Sequence, residues 1–182
     1  MNAAGSPVHT AAPLHTAATS AAPPTGGLLF VCMGNICRSP TAEGVMRALL
    51  ASEAPELRLR LDSAGTHGYH LGAAPDPRSQ AAAMKRGIDI STLRARRLEA
   101  ADFQSFDRIL VMDQRNLSDA RALAPPHYTA RLQLLLDYAP QQSMRAVPDP
   151  YYGEPGDFEQ VLDLTQAAAR GLLLQLQRAR EA

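Results

Sequence analysis

The 182-residue chain holds two cysteines, and both fall in one short segment, Cys32-Met33-Gly34-Asn35-Ile36-Cys37-Arg38-Ser39. A cysteine followed after five residues by an arginine pairs a nucleophile with a planar fork of donors able to grip two phosphate oxygens. Chance produces that spacing often, so its setting matters. In a turn between a strand and a helix start, backbone N–H groups converge on one anion and the helix end adds positive partial charge. The same field favours a thiolate at Cys32, placed for in-line attack on phosphorus to give a covalent phosphocysteine. Catalysis would then rest on positioning and on donors to the equatorial oxygens, Arg38 among them. No metal or cofactor is implied. Expelling the ester oxygen is also helped by an acid, which this segment lacks. Asp149 lies between Pro148 and Pro150; read locally, its Asp-Pro pair is first of all a turn signal.

The surrounding elements fit that setting. Leu28–Cys32 is a short apolar run with glycines on either side, suited to a buried parallel strand. Met33 to Arg38 reads as a turn, with Gly34 and Asn35 tolerant of unusual backbone angles. Ser39-Pro40 then opens a helix, Ser39 as cap and Pro40 at the first position. Alternation over Leu57–Leu61 predicts an edge strand. A Gly-rich loop follows over 65–75, then a helix over 78–86 that Gly87 ends. A short helix is expected over 98–103, a buried strand over 108–112, and a helix capped by Asp113 up to about 124. A fourth strand is expected over 132–136, and a helix over 157–179 follows a Pro/Gly-rich loop. Strands alternating with helices predict an α/β fold on a parallel sheet, whose ligands bind at the carboxyl ends of the strands. The turn after Val31 is such a place.

Composition narrows the function class. Apolar residues make up 46% of the chain, charged residues 20%, and the formal net charge is zero. This is an ordinary globular balance, without the basic excess of a nucleic-acid-coating protein. No apolar run reaches the ~20 residues that span a bilayer, so no membrane insertion is expected. Residues 1–26 contain no Lys, Arg, Asp or Glu and are rich in Ala, Pro and Thr; they are read as a disordered tail ahead of one domain over 27–182. Two clustered cysteines form no disulfide framework, and a cytoplasmic location is expected. The basic segment holding Arg78, Lys85, Arg86, Arg94, Arg96 and Arg97 is read as solvated surface, a docking face for acidic phosphopeptides being the alternative; Arg86 is taken as a surface cation.

The stretch Val31-Cys32-Met33-Gly34-Asn35-Ile36-Cys37-Arg38-Ser39-Pro40 resembles the signature of the low-molecular-weight protein tyrosine phosphatases, of the bacterial type. Asp62-Ser63-Ala64-Gly65-Thr66, Val111-Met112-Asp113 and Asp149-Pro150-Tyr151-Tyr152-Gly153 extend the likeness, in order, over about Leu28 to Arg178. The resemblance implies a three-layer fold, a four-stranded parallel sheet with helices on both faces and the phosphate loop after the first strand. It implies a cysteine-dependent phosphotyrosine phosphatase with Cys32 as nucleophile, Arg38 as phosphate ligand and Asp149 as acid, later base. Met33, Gly34, Asn35, Ile36 and Cys37 would line the phosphate site, and Tyr69, Tyr151 and Tyr152 would wall in the aryl ring. Asn35, Ser39 and Ser63 would hold the loop open, with Asp113 in support as helix cap or as partner to the site wall. His70 is read as a solvated loop residue. Cys37 is either a core filler or the partner of Cys32 in a protective disulfide. The substrate would be a phosphotyrosine protein, a bacterial tyrosine kinase being one candidate. An arsenate reductase coupled to thioredoxin would need cysteines beyond position 37, and an arginine-phosphate phosphatase would favour Thr in place of Ile36. A non-catalytic phosphate-binding module is the reading from another class.

Overall fold

A computed structural model of the chain describes Met1 and residues 26–181. The expected tail lies outside the described residues apart from its two ends, and Gly26 already belongs to the first strand, β1 (Gly26–Cys32). The strands β2 (Leu59–Gly65), β3 (Arg108–Val111) and β4 (Leu132–Leu134) complete a parallel sheet in the order β2-β1-β3-β4. Five α-helices are described: α1 (Arg38–Glu53), α2 (Pro77–Met84), α3 (Asp102–Ser105), α4 (Gln114–Leu123) and α5 (Pro155–Glu181).

Alternation along the strands builds the three layers. Leu28, Phe30 and Cys32 of β1, with Leu110 and Met112, face a core closed by α1, α2 and α5. Leu29, Val31, Ile109 and Val111 face the opposite way, against Phe103, Phe106 and Ala120 near α3 and α4. Successive side chains of a strand point to opposite faces, so a strand covered on both sides reads as a continuous apolar run.

Several elements differ from expectation. The second strand starts at Leu59, because its register with β1 pairs Gly26 with Leu59 and Cys32 with Gly65. Leu57 is instead tied to the end of α1 through Ala54. It is an edge strand, as alternation predicts, but its last three residues are buried. The fourth strand stops at Leu134, and Leu135–Tyr138 forms a 3-10 turn. The first helix begins at Arg38, not at Ser39-Pro40, and no side chain caps it. Gly87 takes φ +73° after α2, and Asp113 caps α4 through Asn116 N–H, both as expected. Among the described residues no helix is long and apolar enough to cross a membrane.

Candidate active site

The site forms where β1 and β3 end and α1 begins. With no side chain on its N-terminus, the first N–H groups of α1 are left to face an anion. Asn35 holds the preceding turn in the left-handed region at φ 56°. Its N–H points to Cys32 Sγ at 3.3 Å, and Ser39 Oγ lies 3.1 Å from the same sulfur. Ser39 lies inside the first turn of α1, past the N-cap position held by Cys37, and its hydroxyl is turned to the thiol. The Asn35 side chain faces away from the cleft: Nδ2 donates to Ser39 Oγ and Ser63 Oγ, both at 2.9 Å. Oδ1 accepts from the backbone N–H of Arg96 at 2.9 Å, a partner no sequence signal marks. Gly65 crosses just behind, where a Cβ would sit 2.7 Å from the Met33 carbonyl. Only glycine lets this segment pass so close to the loop.

Arg38 is 2% exposed. Nη1 donates to Asp113 Oδ2 at 2.5 Å and to the Val147 carbonyl at 3.3 Å, while Nη2 donates to Asp149 Oδ2 at 2.7 Å. Burial works against its charge, but the negative groups at Cys32, Asp149 and Asp113 outweigh that and hold its pKa above the ordinary value. Asp113 accepts the Asn116 N–H through Oδ1 at the start of α4 and the Arg38 guanidinium through Oδ2. Asp149 Oδ1 also accepts the Tyr151 N–H at 3.2 Å.

A cleft of about 510 Å³ is lined by Cys32, Met33, Gly34, Ile36, Cys37, Arg38, Tyr69, His70, Asp149, Tyr151 and Tyr152. Tyr69 and Tyr152 stand 74% and 97% exposed at its rim. Tyr69 stacks on His67 at 5.2 Å, and Tyr151 meets Tyr152 edge-on at 4.9 Å. Most of the expected site residues converge here. Asn35, Ser39, Ser63 and Asp113 lie outside the cleft lining, behind it.

His70 is half-buried in the cleft lining rather than solvated. Its ring sits against Gly34, where a Cβ would lie 3.0 Å from the imidazole, and tilts against Tyr151. Arg86 is no free surface cation. It binds Glu159 at 3.0 Å and Asp163 at 2.8 Å and donates to Gln166 at 2.6 Å, joining the end of α2 to α5. Arg78, Lys85 and Arg96 are likewise paired with carboxylates, so most of the basic segment is neutralised locally. Cys37 is buried and, like Cys32, a free thiol; burial pushes its pKa up to about 12, with the nearby Ser79 hydroxyl offsetting part of the rise.

Residues 27–182 match the family model for the low molecular weight phosphotyrosine protein phosphatase. The chain belongs to this family. It is 38% identical over 154 residues to the Bacillus subtilis low molecular weight protein-tyrosine-phosphatase YfkJ, covering 85% of this chain and 97% of that one. It is 42% identical over 151 residues to the human low molecular weight phosphotyrosine protein phosphatase, covering 82% of this chain and 94% of that one. A crystal structure of a protein tyrosine phosphatase from Entamoeba histolytica superposes with TM-score 0.82 at 34% identity, over 86% of this chain and 99% of that one. Membership makes the chain a cysteine-dependent phosphoric monoester hydrolase of the protein-tyrosine-phosphatase type.

Proposed function

We propose that the protein hydrolyses phosphotyrosine in proteins, and aryl phosphates generally, through a phosphocysteine at Cys32. One observation carries this reading: Cys32 Sγ shares a cleft with an Arg38 whose guanidinium is bound on its far side by Asp113 and on its near side by Asp149.

A phosphate entering the loop takes Nη2 of Arg38 from Asp149, leaving the carboxyl free to turn to the ester oxygen. The Cys32 thiolate attacks phosphorus, the bond to the tyrosyl oxygen breaks, and Asp149 in its carboxylic acid form gives that oxygen a proton. In the second step the Asp149 carboxylate takes a proton from water. The water oxygen bonds to phosphorus, the sulfur–phosphorus bond breaks, and Ser39 Oγ donates to the departing thiolate, 3.1 Å away. Arg38 and the uncapped N–H groups of α1 stabilise the equatorial oxygens throughout.

The cleft walls support an aryl substrate. Tyr69, Tyr151 and Tyr152 flank the cradle and form a slot for a flat ring. Their exposure at the rim suits a phosphotyrosine reached on a flexible segment of a partner protein, a bacterial tyrosine kinase included. A reducing compartment such as the cytoplasm suits a nucleophile that must remain a thiol.

Release of p-nitrophenol from p-nitrophenyl phosphate across about pH 4–8 tests the proposal through the pH dependence that acid–base groups impose. Wild type turns over, Cys32→Ser is inactive, and Asp149→Ala is depressed. Turnover that survives Cys32→Ser overturns the mechanism.

A further inference from the structure

The loop that carries Asp149 is stiffened by Pro148 and Pro150 and anchored ahead of Asp149 by the Val147 N–H, which donates to the Met112 carbonyl at 2.8 Å. Gly153 N–H turns back to the Pro150 carbonyl, and Tyr151 N–H bonds Asp149 itself. Past Asp149, the hydrogen bond that ties the loop to another part of the fold comes from α2, alongside the ring contact of Tyr151 with His70. Arg78 Nη2 donates to the Tyr151 carbonyl at 2.9 Å, and its guanidinium lies 4.7 Å above the Phe158 ring and 5.9 Å from that of Tyr151. Phe158 is buried near the start of α5, so this platform is fixed.

Arg78 is itself held from the phosphate-loop side. Nε and Nη2 clasp both oxygens of Asp76 at 3.0 and 2.8 Å, in the two-pronged geometry that a lysine cannot reproduce. Asp76 also caps α2 by accepting the Arg78 N–H at 2.8 Å. Its own N–H donates to the carbonyl of Ile36, inside the phosphate loop, at 2.8 Å. One continuous path therefore runs from Ile36 through Asp76 and Arg78 to Tyr151 and Asp149.

We propose that Arg78, braced by Asp76, is the positioning residue that registers the Asp149 loop against the phosphate loop. It touches no reacting atom. It fixes the Tyr151 carbonyl, and through it the reach of the Asp149 carboxyl to the ester oxygen. This rests on the role given to Asp149 above.

An acid that is badly aimed matters most when the leaving group is a strong base. The value of kcat/KM, which reports phosphocysteine formation, is therefore measured for phenyl phosphate and for p-nitrophenyl phosphate, whose nitrophenolate leaves with less help. A well-placed acid contributes ~10²–10⁴-fold, and partial misplacement forfeits part of it, so Arg78→Ala should lose about tenfold on phenyl phosphate and about threefold or less on the nitro compound. Asp76→Asn keeps a good helix cap while removing the charge that braces Arg78, and shows the same selectivity at smaller size. The double variant is no worse than Arg78→Ala alone, since both act along one path. Asp149→Asn, run beside them, shows the largest selective loss. If Asp149→Asn is selective and Arg78→Ala lowers both substrates equally or neither, the positioning role is overturned while the acid assignment stands. If Asp149→Asn shows no selectivity, the acid assignment fails and the positioning role fails with it.

Discussion

Replacing Asn35 with alanine should cost several kcal/mol of stability, because its side chain ties the phosphate loop to β2 and to the Arg96 backbone. The side chain is buried and makes hydrogen bonds of 2.9 Å to Ser39 Oγ, to Ser63 Oγ and from Arg96 N–H. At about 1 kcal/mol net for each bond, their removal costs about 3 kcal/mol. The Arg96 N–H and the Ser63 hydroxyl are then stranded in a buried site, which raises the total to about 3–5 kcal/mol. Alanine is also poorly suited to φ 56°, so Asn35→Gly should recover about 1 kcal/mol relative to Asn35→Ala. Urea unfolding followed by circular dichroism reads all three proteins, with unchanged slopes as the check that the unfolded state is comparable. Both variants should also lose kcat/KM on p-nitrophenyl phosphate, because Ser39 is no longer held against Cys32. An Asn35→Ala midpoint equivalent to less than about 1 kcal/mol from wild type would show that the loop is held by its backbone and not by this side chain.

Gly171→Ala places a Cβ 1.8 Å from the Tyr138 carbonyl; α5 must shift off the 3-10 turn, and unfolding should report a loss of about 3 kcal/mol. Cys37 is raised from 9.0 to about 12 by burial, so the unfolded thiol ionises first: stability is insensitive to this group below about pH 9 and falls as pH rises from about 9 to 12. Cys37→Ala should lack that share of the alkaline slope, and iodoacetamide at neutral pH should label Cys32 but leave Cys37 of the folded protein unlabelled, as peptide mass mapping will show. Arg86→Ala breaks partly exposed pairs with Glu159 and Asp163 and should cost about 1 kcal/mol at low salt. That loss should shrink near ~1 M NaCl, where exposed charges are screened; a loss independent of salt would point to packing instead.

The sequence by itself determined the features that depend on near neighbours. Cys32 and Arg38 share one turn, so their distance is set by a few backbone angles, and the short apolar run before them, bounded by glycines, suits a strand covered on both faces. The Asp113 cap and the Gly87 helix end were legible for the same reason, since each acts within four residues. Resemblance to the family added Asp149, Ser63 and the three tyrosines, which no local pattern marks. What only the tertiary structure decided is where distant segments meet. The sheet order β2-β1-β3-β4 places the ends of β1 and β3 side by side, and this brings Asp113, 75 residues along the chain, and Asp149, 111 residues along, onto opposite sides of one guanidinium. Ser39 looked like a cap because capping is the local use of such a residue; the helix starts one residue earlier, at Arg38, and the Ser39 hydroxyl meets the Cys32 sulfur at 3.1 Å. His70 and Arg78 looked like solvated surface because polarity is all that a single residue type reveals. Their contacts with Gly34 and with the Tyr151 carbonyl arise from chain crossings, and local propensity carries no information about a partner 36 or 73 residues distant.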